Sequence, residues 1–209
     1  MSEVTADVGP KNAIVRGAFA ALMKQGLPTL SYDSIAREAG LSRQLVRYHF
    51  KDPETLMLSV CDFLSMVYRE ALLRSVSQKT QIDRLTVFLD FYFDLLDEEP
   101  KPRDDQVYDA LMSLAANSNR IRKNLRHHYT MMGEVISHEL QMSHPNLTLP
   151  AARELSYLIV SLMYGHWKMV ASLGLNQTHK RAARAAIDRL IRSYIDEEST
   201  KLAPGEAWS

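Results

Sequence analysis

The sequence predicts an all-α fold in which a small N-terminal unit of three short helices (residues 1–52) precedes a larger helical domain (residues 53–209). Three observations carry this. Apolar residues recur at spacings of three and four along most of the chain, the period of a helix with a buried face. Glycine and proline number only 8 each, and most stand at the ends of periodic segments. Hydrophobic residues make up 46% and charged residues 24% of 209, the composition of a globular protein with a sizeable core.

Residues 1–9 lack a helical stripe and read as a mobile lead-in. Pro10 suits a first helical position, and Val15, Ala18, Phe19 and Leu22 then follow at helical spacing up to Gly26. Ser31 is placed to cap a short helix from about Tyr32 to Ala39, with Ile35, Ala36 and Ala39 inward. Gly40 interrupts, and Ser42 caps a third helix running through Val46 to Phe50. Asp52-Pro53 opens a long fourth helix bearing Leu56, Val60, Phe63, Leu64, Val67 and Leu72. A helix near 80–97 follows, then a polar break at Glu98–Asp105 with Pro100 and Pro102. Helices near 106–117 and 120–142 come next, and His144-Pro145-Asn146 breaks the chain again. Residues 150–173 carry two apolar stripes and end at Gly174, while the last helix spans about 177–197.

Several function classes are disfavoured by composition. The one cysteine, Cys61, excludes an intrachain disulfide and the Cys-rich zinc modules, and among Leu58, Phe63 and Leu64 it reads as a small buried apolar residue. No basic-then-apolar leader is present and no apolar run reaches the roughly 20 residues that cross a bilayer, so a cytoplasmic protein without membrane contact is expected. Lys+Arg and Asp+Glu are both 25, so nucleic-acid binding would require a local basic patch. Residues 28–51 offer one, with Arg37, Arg43, Arg47 and Lys51 against Asp33 and Glu38. The far end leans acidic, with Asp196, Glu197, Glu198 and Glu206.

The segment from Ser34 to Phe50 has the mechanics of a helix-turn-helix. Ala36 is small where two helices approach, Gly40 supplies the positive φ of a tight turn, and Ile35, Leu41, Val46 and Phe50 supply a shared core. Arg43, Gln44, Arg47 and Tyr48 are left on the outward side of the second helix. Arginine can grip guanine with two bonds, glutamine can read adenine, and tyrosine can bind phosphate.

The stretch Ile35-Ala36, Ala39-Gly40-Leu41-Ser42 and Tyr48-His49-Phe50-Lys51, then Glu54 and Leu56, resembles the N-terminal signature of the TetR family of bacterial regulators. The specific motif spans about residues 12–58, and helix order and lengths fit over essentially the whole chain. The resemblance implies that three helices bind DNA, a fourth connects, and the rest binds a ligand and dimerises. Base reading is thereby assigned to Arg43, Gln44 and Arg47, and phosphate contact to Ser31, Ser42, Tyr48, His49 and Lys51. Two positions depart from the family's pattern. Arg47 replaces one of the usual aromatic pair before His-Phe, which alters the expected site preference. Pro53 stands where a phosphate-contacting lysine is common, leaving Lys51 as the nearest candidate.

In the larger domain, His127-His128-Tyr129 and the pair Glu134 and His138 have the residue types of a metal or acid–base site. Glu134 and His138 are four apart, and the two Glu-x-x-His motifs and two further glutamates of a di-metal bundle are not found, so neither a metal, a cofactor nor a catalytic residue is expected. Phe88, Phe91, Tyr92, Tyr108, Met112, His128, Met131, Met132 and Tyr164 are candidate linings of an adaptable apolar pocket for flat or greasy ligands. Leu155, Leu158, Ile159, Leu162, His166, Met169, Ile187, Leu190 and Tyr194 are candidates for a two-fold interface, a four-helix bundle made by the last two helices of each copy.

The expected function is a ligand-responsive regulator, not an enzyme, that binds a palindromic operator in double-stranded DNA as a homodimer, with repression the commoner outcome in the resembling family. The alternative is an all-helical enzyme or small-molecule carrier without specific DNA binding. A third reading gives the larger domain a protein partner, or none, in place of a ligand.

Overall fold

The computed structural model describes residues 9–79, 82–96, 105–175, 177–197 and 206–208, which form α-helices and two single 3-10 turns, with no strand among the described residues. The expected lead-in lies outside them except for Gly9, as does the break at Glu98–Asp105 except for Asp105. The chain divides into two compact units. One is made of residues 1–67 and 103–126, the other of residues 68–102 and 127–209. Helices α4 (Pro53–Gln78) and α7 (Asn119–Ser143) each begin in the first and end in the second.

The first unit is built on α1 (Pro10–Gln25), which buries Ile14, Val15, Ala18, Ala21 and Leu22. Its neighbour α2 (Tyr32–Ala39) crosses it at Gly17. A Cβ placed there would stand 2.7 Å from Ala39 Cβ, 2.8 Å from Ala39 N and 2.9 Å from Ile35 O. Only glycine lets the two backbones come this near. Ser31 and Ser34 cap α2 reciprocally: each hydroxyl oxygen accepts the other's backbone N–H, at 3.1 and 2.9 Å. Gly40 ends α2 at φ 65°, and the Leu41 N–H returns to Ala36 O at 3.0 Å, the closure expected of a left-handed cap. The Ser42 oxygen then accepts the Leu45 N–H at 3.2 Å and starts α3 (Arg43–His49).

Besides residues 1–52, this unit takes in the first half of α4, all of α6 (Asp105–Asn117) and the start of α7. Asp52 caps α4 by accepting the N–H groups of Glu54 and Thr55 at 3.1 and 3.2 Å. Arg120 at the start of α7 reaches the same turn, 3.1 Å from Asp52 and 2.6 Å from Glu54, and the Ser118 hydroxyl also donates to Glu54. These bonds hold the Asp52 carboxyl below its usual range, the Thr55 hydroxyl contributing most. Cys61 on α4 is 2% exposed, and desolvation, aided by the Asp62 charge, pushes its thiol up to about 12; it is part of the core, as expected.

In the second unit α5 (Arg84–Tyr92) is shorter than the predicted 80–97. Asp83 caps its start by accepting the Thr86 N–H at 3.0 Å. At its other end Asp94 turns to φ 53°, the Leu95 N–H returns to Asp90 O at 2.9 Å, and the Asp94 carboxylate pairs with Lys180. Aspartate tolerates this conformation better than most residues. Trp167 Nε1–H donates to the Tyr92 carbonyl at the end of α5, at 2.7 Å. Helices α8 (Leu149–Leu173) and α9 (Gln177–Glu197) match the predicted spans, with Thr148 as N-cap of α8 and Gly174 at φ 68° as its stop. Lys180 and Arg184, 6% and 8% exposed, tie α9 to the end of α5, Arg184 lying 2.8 Å from Asp90 and also pairing with Asp188. No described helix is long and apolar enough to cross a membrane.

Candidate nucleic-acid interface

Helix α3 has a fixed side and an open side. Val46 is fully buried and Phe50, its C-cap, is 4% exposed, so the helix is anchored through residues 46 and 50. Arg43, Gln44, Arg47 and Tyr48 all face solvent on the other side, Tyr48 at 72% exposure. Their spacing of one and four residues makes a single strip across two turns. Ser31, Ser42 and Lys51 flank the strip at the surface, with His49 half-buried and edge-on to Tyr48 at 5.2 Å. The oxygens of Ser31 and Ser42 are occupied as helix caps, and the hydroxyl proton of Ser42 is left to donate to a phosphate.

Charge on this surface is local, as the neutral total requires. Arg43 stands 3.2 Å from Asp33 with both side chains more than half exposed, and Lys24 pairs with Glu38 at 2.6 Å. An exposed pair of this kind contributes about 0–1 kcal/mol, so Arg43 can exchange Asp33 for a phosphate or guanine at small cost. Among the described residues Arg37, Arg47 and Lys51 have no carboxylate partner.

Two residues that set the strip's attitude escaped the sequence reading. Tyr32 donates its hydroxyl to Phe50 O at 2.9 Å and clasps the start of α2 to the end of α3. Gly17 fixes the α1–α2 crossing. The aromatic after the Ser31 cap was the only local hint of the first, and a glycine inside an apolar stripe the only hint of the second.

The candidate pocket residues fall in both units. In the second, Phe88, Phe91 and Tyr92 of α5 are buried, and Tyr68, which the sequence did not single out, lies parallel to Tyr92 with centroids 6.0 Å apart. Phe88 meets Tyr92 at 4.8 Å. His128, Met132 and Tyr164 are half-buried, and Met131 is 53% exposed. Burial raises the Tyr164 phenol, whose ring also lies under Lys168 at 5.6 Å. Tyr108 and Met112 are half-buried on α6 in the first unit.

The candidate interface residues separate by burial. Leu155, Ile159 and Ile187 are already buried within one chain, Leu158, His166, Leu190 and Tyr194 are half-buried, and Leu162 and Met169 are 48% and 52% exposed. Leu173 adds a further exposed apolar residue to α8 at 68%. The supposed acid–base pair dissolves: Glu134 lies 3.4 Å from Arg153, and exposed His138 has Glu139 as its nearest carboxylate, at 3.9 Å. No group of three or more His, Cys, Asp or Glu placed to hold a metal occurs among the described residues.

No protein-family model matches the sequence, and no curated relative does. Solved structures match over nearly their whole length. A TetR-family transcriptional regulator from Rhodococcus sp. is 18% identical with a TM-score of 0.68, covering 89% of this chain and 98% of its own. A TetR-family member from Streptomyces coelicolor A3 is 15% identical with a TM-score of 0.62, covering 87% and 98%. A transcriptional regulator from Saccharomonospora viridis, solved with choline, is 18% identical with a TM-score of 0.67, covering 90% and 95%. With its helix-turn-helix on α2 and α3 and further helices through its other described residues, the chain has the fold of the TetR family of bacterial transcriptional regulators.

Proposed function

We propose that this protein is a ligand-responsive transcriptional regulator, most simply a repressor, that binds a near-palindromic operator as a homodimer. The observation that carries this is the strip of Arg43, Gln44, Arg47 and Tyr48, open to solvent on a helix anchored through Val46 and Phe50. In this reading Arg43, Gln44 and Arg47 read base edges in the major groove. Ser31, Ser42, Tyr48, His49 and Lys51 hold phosphates and set register. DNA contact belongs to residues 1–52, and ligand binding and dimerisation to residues 53–209.

The exposed apolar side of α8 supports a two-fold partner. Leu162, Met169 and Leu173 stay uncovered in a single chain, and two copies of α8 and α9 would form a four-helix bundle over them. Such a dimer presents its α3 helices to half-sites about 34–36 Å apart. A small molecule that binds better to a form with the wrong spacing would release the operator, and α4 is the helix through which that change would pass. The rings around Tyr92 are buried, so an effector that binds there would have to open this aromatic core; the choline of the Saccharomonospora viridis regulator is of a class that aromatic faces bind through cation–π attraction.

The test is selection of bound duplexes from a random pool at physiological salt, where ionic background is suppressed. An inverted repeat is expected. Replacing Arg47 with alanine should then weaken the selected site about tenfold and relax preference at one position of each half-site. A folded dimer that enriches no motif would overturn the operator reading and favour a carrier or enzyme. Uniform weakening on all sequences would reassign Arg47 to phosphate.

A further inference from the structure

Trp208 lies in the second unit, in the turn Glu206–Trp208, against α7 and α8. Its indole occupies the space a side chain at Gly133 would fill: a Cβ there would overlap ring carbons Cε2 and Cζ2 and stand 2.6 Å from Nε1. The ring Nε1–H donates to Ser156 Oγ at 3.0 Å. Tyr157 meets the ring edge-on, with centroids 5.6 Å apart.

Three features of this seat belong to α7 and α8 and not to Trp208. Gly133 leaves bare backbone in the middle of a 25-residue helix, at a cost of about 1 kcal/mol relative to alanine. Ser156 is fully buried, and its hydroxyl donates to Arg153 O at 2.8 Å, so its oxygen is turned into an acceptor for one incoming donor. Tyr157, 43% exposed, forms an aromatic wall. A flat slot with one buried acceptor at its side is selective for a planar ring carrying a single N–H.

We propose that the notch at Gly133, Ser156 and Tyr157 is a binding site for planar aromatic molecules of the indole class with a ring N–H donor, and that Trp208 fills it as a tethered pseudo-ligand. A tether raises the local concentration of the occupant to the millimolar range, so a free indole competes poorly until Trp208 withdraws. A ligand that wins the notch therefore also displaces the turn Glu206–Trp208. This site is independent of the operator reading, since no residue of α1–α3 takes part.

The experiment compares W208A with the unaltered chain in binding 5-fluoroindole, followed by 19F NMR. The variant is expected to bind at least tenfold more tightly than the unaltered chain. In the variant, the N-methylated compound, which cannot donate to Ser156, should bind at least tenfold more weakly than the parent indole. Absence of binding to folded W208A, or equal binding of both compounds, overturns the proposal. A second measurement needs no core substitution. The chain has two tryptophans, so labelling with 5-fluorotryptophan gives two resonances, assigned by W208F. Unlabelled indole should move the Trp208 line toward its solvent position and N-methylindole should not; a Trp208 line that stays fixed through saturating indole overturns the proposal as well.

Discussion

Gly17 in α1 and Gly133 in α7 are both buried mid-helix glycines, yet the matter that buries them differs. At Gly17 the nearest atoms are Ala39 Cβ, Ala39 N and Ile35 O, two of the three being backbone of α2. At Gly133 all three belong to one side chain, the indole of Trp208. The same missing methyl thus has two meanings. Where helix backbone fills the gap, the glycine fixes how two elements cross. Where a single ring fills it, the glycine leaves a seat from which the ring can move.

The largest expected effect separates these meanings directly. In G17A the new methyl has no flexible atom to displace, so α1 and α2 must part. Overpacking of this kind costs about 1–3 kcal/mol, only partly offset by about 1 kcal/mol of improved helix propensity. Because backbone atoms cannot rotate aside, the upper end applies, and a net loss of about 2 kcal/mol is expected in urea unfolding. On the proposed reading, operator affinity should fall as well, since α3 rides on α2. A variant as stable as the parent would mean that the crossing is soft and the contrast with Gly133 unfounded. Next in size is Y32F, which removes only the hydroxyl that donates to Phe50 O. A loss of about 1 kcal/mol is expected, the typical net value of one hydrogen bond. No loss would show that water replaces the tyrosine without strain.

The same contrast explains what the sequence disclosed. Helix starts and stops in the first unit were legible because their causes are local: Ser31, Ser42 and Asp52-Pro53 cap helices within three residues, and Gly40 turns on its own backbone. The outward strip on α3 followed from the same local period. The end of α5 was not legible. It depends on Asp94 taking a left-handed turn whose carboxylate pairs with Lys180, 86 residues away. Apolar period alone could not tell Leu155, Ile159 and Ile187, covered by their own chain, from Leu162 and Met169, which are not. Gly17 and Gly133 were equally opaque, because a glycine's role here is set by what another element brings against it.

A smaller effect comes from G133A, and its contrast with G17A is the point. The methyl displaces an indole that can swing out, and about 1 kcal/mol of helix propensity offsets the lost burial. With the hydrogen bond to Ser156 also lost, a net fall of no more than about 1 kcal/mol is expected, together with a red shift of tryptophan emission as Trp208 enters water. If G133A instead loses as much stability as G17A with unshifted emission, Trp208 is a structural part of the second unit and the distinction between the two glycines fails.

The smallest effect concerns a proton in the second unit. Nε2 of His166 is buried with no hydrogen-bond partner among the described residues, and the ring sits 5.3 Å from Phe93 and 5.8 Å from Trp167. Desolvation first, then the charges of Lys180 and His179, hold its pKa below the ordinary 6.5. Between that lowered value and about 6.5 the unfolded chain therefore binds more protons than the folded one. Its contribution to stability is complete above about pH 6.5 and declines as the pH falls below it. Glutamine cannot titrate, so H166Q should flatten the fall in urea midpoint between about pH 7 and about pH 5.5. Parallel declines in parent and variant would place the responsible proton elsewhere. His166 also lies among the residues proposed for a two-fold interface, and a partner seated there would remove still more water from the ring. The slope should then steepen with protein concentration in the parent and not in H166Q, which ties this small titration to the covered or uncovered state of α8.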